Sequence, residues 1–428
     1  MTPDLIFNRQ TLYLSPDPSR VVVRPFRPAL EPRDFNPVDK TRANHIVDRV
    51  LALEDEEVDA ALSTTLANFD GRHRNLLAIF ENRAREMEDA FAMHPRFSEK
   101  CCQLIGAYFL HEYSFEAAAL FNPSIVPHPD QTNVPEGALR FILSLRAVGE
   151  GHVSSLTFRS GVIASDGTVS IDAPARLAVV PTVHGRVGDR LDLGFEPQGD
   201  ITERVIFPVT EMQANGIEDA RFVAFEQEGK TTWYATYTAY SGREIRSELL
   251  ATDDFLSFHL APLKGSAARN KGMALFPRKI GGHYAMLARH DNENLHLLYS
   301  DDLMDWGLGI PVLRPEYPWE FVQVGNCGSP IELDEGWLVF THGVGPIRRY
   351  AIGAALLDKD DPSRVIGRLR EPLLQPDTDE REGYVPNVVY SCGALKHGSR
   401  IILPYAISDS FSTFGTIDIR RLLDAMSG

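Results

Sequence analysis

Thr252-Asp-Asp-Phe-Leu-Ser-Phe258 and Ser300-Asp-Asp-Leu-Met-Asp-Trp306 share one pattern, [ST]-D-D-[FL]-x-x-[FW], and each follows a strand-like run, ending at Leu250 and at Tyr299. A looser echo, Leu357-Asp-Lys-Asp-Asp-Pro362, follows "YAIGAAL". Strand, polar signature, strand and acidic turn, recurring every ~40–60 residues, is how a β-propeller blade looks in sequence. Beyond Phe121 the chain runs in short β-type stretches, among them "RFILSLRA", "TWYATYTAY", "YAMLAR", "LHLLYS", "WLVFTHG" and "RIILPYA", separated by Gly, Asp, Asn and Pro. The spacing predicts five blades, around 138–175, 219–258, 273–306, 326–366 and 386–421. A β-sandwich is the rival architecture, but it gives less reason for one turn signature to recur.

The first part of the chain reads differently. Residues from about 41 to 120 are expected to be helical, with Leu76, Phe80, Ala84, Met87 and Phe91 on one face of "NLLAIFENRAREMEDAF" and Glu81, Arg85, Glu88 and Asp89 on the other. Asp55 and Asp70 are candidate helix starts and His94-Pro95 a stop. The expected fold class is all-β, a five-bladed β-propeller with an N-terminal helical extension. The expected boundaries are 1–115 for the N-terminal segment and 116–428 for the propeller.

Composition removes several classes of function. Lys and Arg number 43 against 59 Asp and Glu, a net charge of −16 that repels nucleic-acid phosphate and anionic lipid. No apolar run approaches the ~20 residues of a membrane span. The opening Met1-Thr-Pro-Asp-Leu-Ile-Phe-Asn-Arg lacks the basic and apolar stretches of a secretory signal, so a cytoplasmic protein is expected. The four cysteines, Cys101, Cys102, Cys327 and Cys392, show no metal or C-x-x-C spacing and read as buried thiols, with no metal site and no cofactor expected.

A propeller gathers the inner strand of each blade around one axis, so polar residues near the strand starts converge on a central pocket. Blade by blade these are Asn122 and Arg146; Asp219 and Arg221; Lys271 and Arg289; His342 with Arg348 and Arg349; and Glu382, Tyr384 and Asp409. That set is rich in cations for an acidic protein. Singly, each is more simply a turn residue or surface ion pair. Tyr237, Tyr240 and Trp319 could stack on a ligand but are more simply core or rim packing.

The stretches "GIEDARFV", "NKGMALFPRKIGGHYAMLAR", "GNCGSPIELDEGWLVFTHGVGPIRRYAIGAALLDKDDPSRVIGR" and "GYVPNVVYSCG" resemble the blade motifs of glycoside hydrolase family 130, the β-mannoside phosphorylases and related hydrolases. The similarity covers about residues 115 to 421 in the family's order, and the helical portion resembles an N-terminal extension carried by some members. The resemblance implies a five-bladed propeller and inverting phosphorolysis of a β-mannosidic bond, giving α-mannose 1-phosphate with inorganic phosphate as co-substrate. It places the catalytic acid at Asp219, which would donate its proton through the 3-hydroxyl of the transferred mannose. It places phosphate ligands at Lys271, Arg289 and His342, with Arg348 as a further candidate cation. Substrate contacts would come from Asn122, in "FNPS", Arg146, in "LRAVG", Arg221, Glu382, Tyr384 and Asp409, in "YAISDS".

Physical logic agrees with that assignment. An inverting hydrolase needs a second carboxylate to activate water, whereas phosphate arrives nucleophilic and needs cations to hold it in line. Lys271-Gly272 stands where several family members carry Arg-Asn, and Glu332 where they carry Lys; Lys271 keeps a charge but gives up the bidentate fork. A general acid also needs a raised pKa, which Glu218 and an incoming phosphate would favour at Asp219 and Arg221 would oppose. Glu218 is expected to pair with an arginine. Three rivals stay open: a β-mannoside hydrolase with Glu382 as base, a carbohydrate-binding propeller without catalysis, and a relative of the five-bladed arabinanases and invertases. The helical segment could cover the pocket mouth or form a subunit interface in a homo-oligomer.

Overall fold

A computed structural model describes residues 6–28, 41–91 and 98–426. The sequence-expected helix stop at His94-Pro95 lies outside these residues, as does the start of the chain. The chain divides into two compact units. One is Ser19–Ser114 with Arg176–Val179; the other is Met1–Pro18, Phe115–Ala175 and Val180–Gly428.

The smaller unit contains helices Arg42–Leu51, Asp55–Asn68, Leu76–Phe91 and Glu99–Tyr108 and a two-stranded sheet, Val21–Pro25 with Leu110–Ser114. Thr41 caps the first helix through a reciprocal box with Asn44, and Glu54 with Glu57 does the same for the helix that opens at Asp55. Asp70 starts nothing: the third helix begins at Leu76, behind the left-handed Asn75. On that helix Phe80, Ala84 and Met87 are buried. Gly106 lets the fourth helix approach closely, since a Cβ there would stand 1.9 Å from the Phe80 carbonyl oxygen. Helix ends at Tyr108 rather than near 120, because Leu110–Ser114 finds a strand partner far back in the chain, with Val22 opposite Tyr113.

The larger unit is mostly β, built as five successive antiparallel meanders. The first is Ala119–Pro127, Leu139–Val148, Ser154–Ile163 and Val169–Ile171, and the second Gly216–Gln227, Lys230–Tyr240, Ile245–Thr252 and Ser257–Pro262. The third is Ala274–Leu275, Tyr284–Ala288, Leu295–Ser300 and Ile310–Leu313; the fourth is Gln323–Asn326, Trp337–Val344, Tyr350–Leu357 and Val365–Arg368. Val389–Tyr390, Arg400–Ile407 and Phe411–Asp418 form the fifth, whose outer strand is Phe7–Leu14, paired with Phe7 opposite Ile417. The first meander thus starts earlier than its sequence repeat, and 176–218, which fits no repeat, supplies an extra hairpin, Thr182–Val187 with Arg190–Gly194, added beside Ser257–Pro262.

The acidic signature is a hydrogen-bonded turn at each outer corner. Thr252 Oγ1 accepts from the backbone N–H groups of Asp254 and Phe255, and Asp254 Oδ1 from those of Leu256 and Ser257. Ser300, Asp302 and Asp358 repeat the device. It buries Phe255, Phe258 and Trp306 beneath the turn.

Hydrogen bonds also run from each meander to the next. Phe222 N–H donates to Ser124 Oγ at 3.0 Å, joining the first and second. Glu226 N–H donates to the Pro277 carbonyl at 2.9 Å, joining second and third, and Asn326 Nδ2 to the Gly272 carbonyl at 2.6 Å, joining third and fourth. Tyr350 N–H donates to the Asn387 carbonyl at 3.0 Å, and Cys392 N–H to the Pro123 carbonyl at 2.8 Å, linking fourth to fifth and fifth back to first. Among the described residues no helix is long and apolar enough to cross a membrane.

Candidate active site

Two inner strands carry a one-residue irregularity at the same place. The ladder of Ala119–Pro127 slips between Phe121 and Ser124, and that of Gly216–Gln227 between Glu218 and Arg221. The residues at the slips, Asn122 and Asp219, take left-handed backbone angles (φ 49° and 54°). A third such corner follows Arg400–Ile407, where Asp409 has φ 48°. Asn and Asp are the side chains that tolerate this region, and a bulge re-aims the residue it carries.

These corners meet. Asn122 Nδ2 donates to Asp219 Oδ1 at 2.7 Å, and Arg146 NH1 to the same oxygen at 3.2 Å. Arg146 NH2 donates to Glu218 Oε1 at 2.7 Å while its Nε donates to Ser154 Oγ at 2.8 Å, so one guanidinium joins both acids of the Glu218-Asp219 pair. Arg221 turns away, with NH1 on the Asp219 carbonyl at 3.0 Å and NH2 on Tyr390 OH at 2.8 Å. Asn122 Oδ1 and Arg221 Nε are buried with no protein partner.

The raised pKa that a general acid needs is not found at Asp219. Burial alone pushes the carboxyl up, but Arg146, Arg221, Lys271 and the Asn122 hydrogen bond outweigh it and hold Asp219 down to about 2. Asp409 behaves oppositely: burial, then the charge of Asp219, push it up to about 7 against Arg146 and Arg348. Of the carboxyls in this cluster, Asp409 is therefore the one that titrates nearest neutral pH.

Beside this cluster lie Arg289 and His342, 7% and 2% exposed. Arg289 NH1 donates to Gln323 Oε1 at 2.8 Å and to the Asn292 carbonyl at 3.1 Å; its Nε is buried without a partner. His342 is not a cation, as its place among phosphate ligands would suggest. Burial, then Arg289 and Arg221, push it well below the ordinary histidine range. The cationic field comes from Arg146, Arg221, Lys271 and Arg289.

The remaining sequence-expected residues are placed unevenly. Arg348, exposed and left-handed like its neighbour Ile347, lies 5.9 Å over the Tyr350 ring and acts electrostatically on Asp409. Tyr384 is 42% exposed, hydrogen-bonds His152 Nδ1 through its hydroxyl, and donates from its backbone to Ser410 Oγ at 2.8 Å. Glu382 is exposed. Arg349 donates to the Pro376 carbonyl at 2.9 Å. Glu332 pairs with Arg278 at 2.8 Å. Tyr237 is core, its hydroxyl bonded to Glu248 and Gln213, and Trp319 packs against Gly343 with its Nε1 on the Arg370 carbonyl.

Sequence reasoning missed Gln323, Asn326, Tyr350 and Tyr390. The two tyrosines pack on the His342 ring, with centroids 6.0 and 4.9 Å away. Both tyrosines stand inside motif stretches but read as ordinary strand aromatics, and a hydrogen bond such as Gln323 to Arg289 leaves no local pattern.

Known proteins resemble this chain in sequence and in fold. A family model described as β-1,4-mannooligosaccharide phosphorylase matches residues 193–428. A 1,2-β-oligomannan phosphorylase of Thermoanaerobacter sp. (strain X514) is 34% identical over 250 residues, 56% of this chain and 82% of that protein. A β-1,2-mannobiose phosphorylase of Listeria innocua is 35% identical over 219 residues, 48% of this chain and 58% of its own. The solved structure of a Listeria innocua β-1,2-mannobiose phosphorylase in complex with β-1,2-mannobiose shares the fold, with a TM-score of 0.54 at 22% identity, covering 72% of this chain and 92% of that one. The chain belongs to glycoside hydrolase family 130, the family of the β-mannoside phosphorylases.

Proposed function

We propose that the protein catalyses inverting phosphorolysis of β-mannosides, β-mannobiose or β-mannooligosaccharides, releasing α-mannose 1-phosphate and a shortened acceptor. Asp219 is the general acid, acting through the mannose 3-hydroxyl as the family resemblance implies, and inorganic phosphate is the nucleophile. Asn122, Arg146, Arg221, Tyr384 and Asp409 hold the mannoside; Lys271, Arg289, His342 and Arg348 hold phosphate. The observation that carries this reading is one carboxylate on a bulged strand facing a buried set of cations with unpaired N–H groups. A hydrolase gains nothing from those cations, and Glu382, its candidate base, stands exposed.

A phosphate dianion beside Lys271 would offset part of the field that holds Asp219 low, and so ease its protonation. Asp409, already near 7, supports a second reading in which it is the proton donor and Asp219 only orients the sugar.

We read the five meanders as blades of a closed propeller. Support comes from the circuit of hydrogen bonds that returns from the fifth meander to the first, and from the way side chains of all five enter one electrostatic cluster. A cytoplasmic site of action is part of the same reading, in keeping with four free cysteines. The test is to incubate the protein with β-mannobiose with and without phosphate and follow mannose 1-phosphate. Product release that ignores phosphate would sink the proposal.

A further inference from the structure

The partners of His342 determine which ring nitrogen carries its hydrogen. Nδ1 lies 3.1 Å from the backbone carbonyl oxygen of Asn326. A carbonyl only accepts, so Nδ1 carries the hydrogen and the lone pair of the neutral ring sits on Nε2. Asn326 is itself pinned, its Nδ2 donating to the Gly272 carbonyl at 2.6 Å and its Oδ1 accepting from Gly328 N–H at 3.2 Å. Tyr350 and Tyr390 pack on the ring, and Arg289, Arg221 and Asp219 are the charged groups that face it.

Nε2 stands beside Arg289. A Cβ on Gly325 would lie 2.9 Å from His342 Nε2 and 3.3 Å from Arg289 Cδ, so the absence of a side chain keeps this space open. Arg289 is anchored through NH1, and its Nε is buried and unpartnered. The site therefore sets an obligate acceptor next to the Arg289 guanidinium.

We propose that His342 makes this site select an oxyanion that still bears a proton: Nε2 accepts the hydrogen bond of the P–OH group of monohydrogen phosphate, while Arg289 and Lys271 take the unprotonated oxygens. The inference rests on the reading of this cluster as the phosphate site. Sulfate matches phosphate in size and charge but has no hydrogen at neutral pH, so one of its oxygens would face the Nε2 lone pair, acceptor against acceptor. Arsenate, which keeps a hydroxyl, is the matched control. A site built to pair with a hydroxyl rejects the analogue that lacks it by about 10²-fold or more.

Calorimetric titration of the full-length protein with phosphate, arsenate and sulfate, with and without saturating mannose, tests this without requiring turnover. The expected result is phosphate and arsenate binding within a few-fold of each other and sulfate about 10²-fold more weakly. In His342→Gln, whose amide can donate as well as accept, the phosphate-to-sulfate ratio should fall toward one. Equal binding of sulfate and phosphate by the wild type overturns the proposal while leaving the phosphate site standing. Failure of all three anions to bind overturns the phosphate reading and the proposal with it.

Discussion

Asp219 and Asp409 sit on similar left-handed corners, one on the second meander and one on the fifth, yet one titrates at about 2 and the other at about 7. Burial acts on both in the same direction. The difference lies in what faces them: Asp219 accepts from Arg146 and Asn122 with Arg221 and Lys271 nearby, whereas Asp409 feels the negative charge of Asp219 itself. Cations define one corner as a held carboxylate, and that carboxylate defines the other as a proton reservoir. The same residue type at nearly the same φ, one in a strand bulge and one in a hairpin turn, is assigned its chemistry by its neighbours.

The largest way to break this comparison is Asp219→Asn. Loss of general acid catalysis predicts a fall in kcat of about 10²–10⁴-fold, measured by mannose 1-phosphate release. Asp409→Asn should act mainly on KM for the mannoside. Next comes Arg146→Ala, which strands Glu218 and Asp219, both 14% exposed, without their shared partner. Breaking such a pair costs about 3–5 kcal/mol, read as a lower urea midpoint, and adding Glu218→Gln should restore part of it.

A smaller effect separates the two acids by pH. The folded Asp409 holds a proton that the unfolded chain releases near the ordinary carboxylate pKa, so its contribution turns against folding as pH rises from about 4 to 7. Asp409→Asn should therefore gain stability relative to wild type as pH rises to 8, by at most about 4 kcal/mol, with the gain gone below pH 4. Asp219 has the opposite sign: it stabilises the fold above the ordinary carboxylate pKa, and that contribution is lost as pH falls toward 2. Thermal melts across pH measure both. The smallest effect is Arg348→Ala, which removes an exposed cation and should raise KM for phosphate modestly while pushing the Asp409 pKa further up.

Much of this was legible in the sequence where the signal is local. The turns at Thr252 and Ser300 are written in four or five consecutive residues, and the count of five β repeats follows from their spacing. Motif positions likewise brought Asn122, Arg146, Asp219 and Arg221 together. Long-range pairing was not legible: Phe7–Leu14 joins the last meander and Val21–Pro25 joins Leu110–Ser114, each across a separation no local pattern encodes. The titration states were not legible for a related reason. That His342 is neutral depends on its burial and on two arginines from other meanders, and that Asp219 is ionised depends on Arg146 and Lys271, distant in the chain, as well as on neighbouring Arg221.

Asp219, despite its low resting pKa, is the group proposed to protonate the departing sugar. Turnover of a β-mannoside whose leaving group needs no proton, such as 2,4-dinitrophenyl β-mannoside, measures this directly in Asp219→Asn and Asp409→Asn with phosphate present. The prediction is that Asp219→Asn approaches wild-type rate on this substrate while remaining impaired on β-mannobiose, and that Asp409→Asn shows no such recovery. Recovery in Asp409→Asn alone would contradict the claim and assign the proton to the other corner.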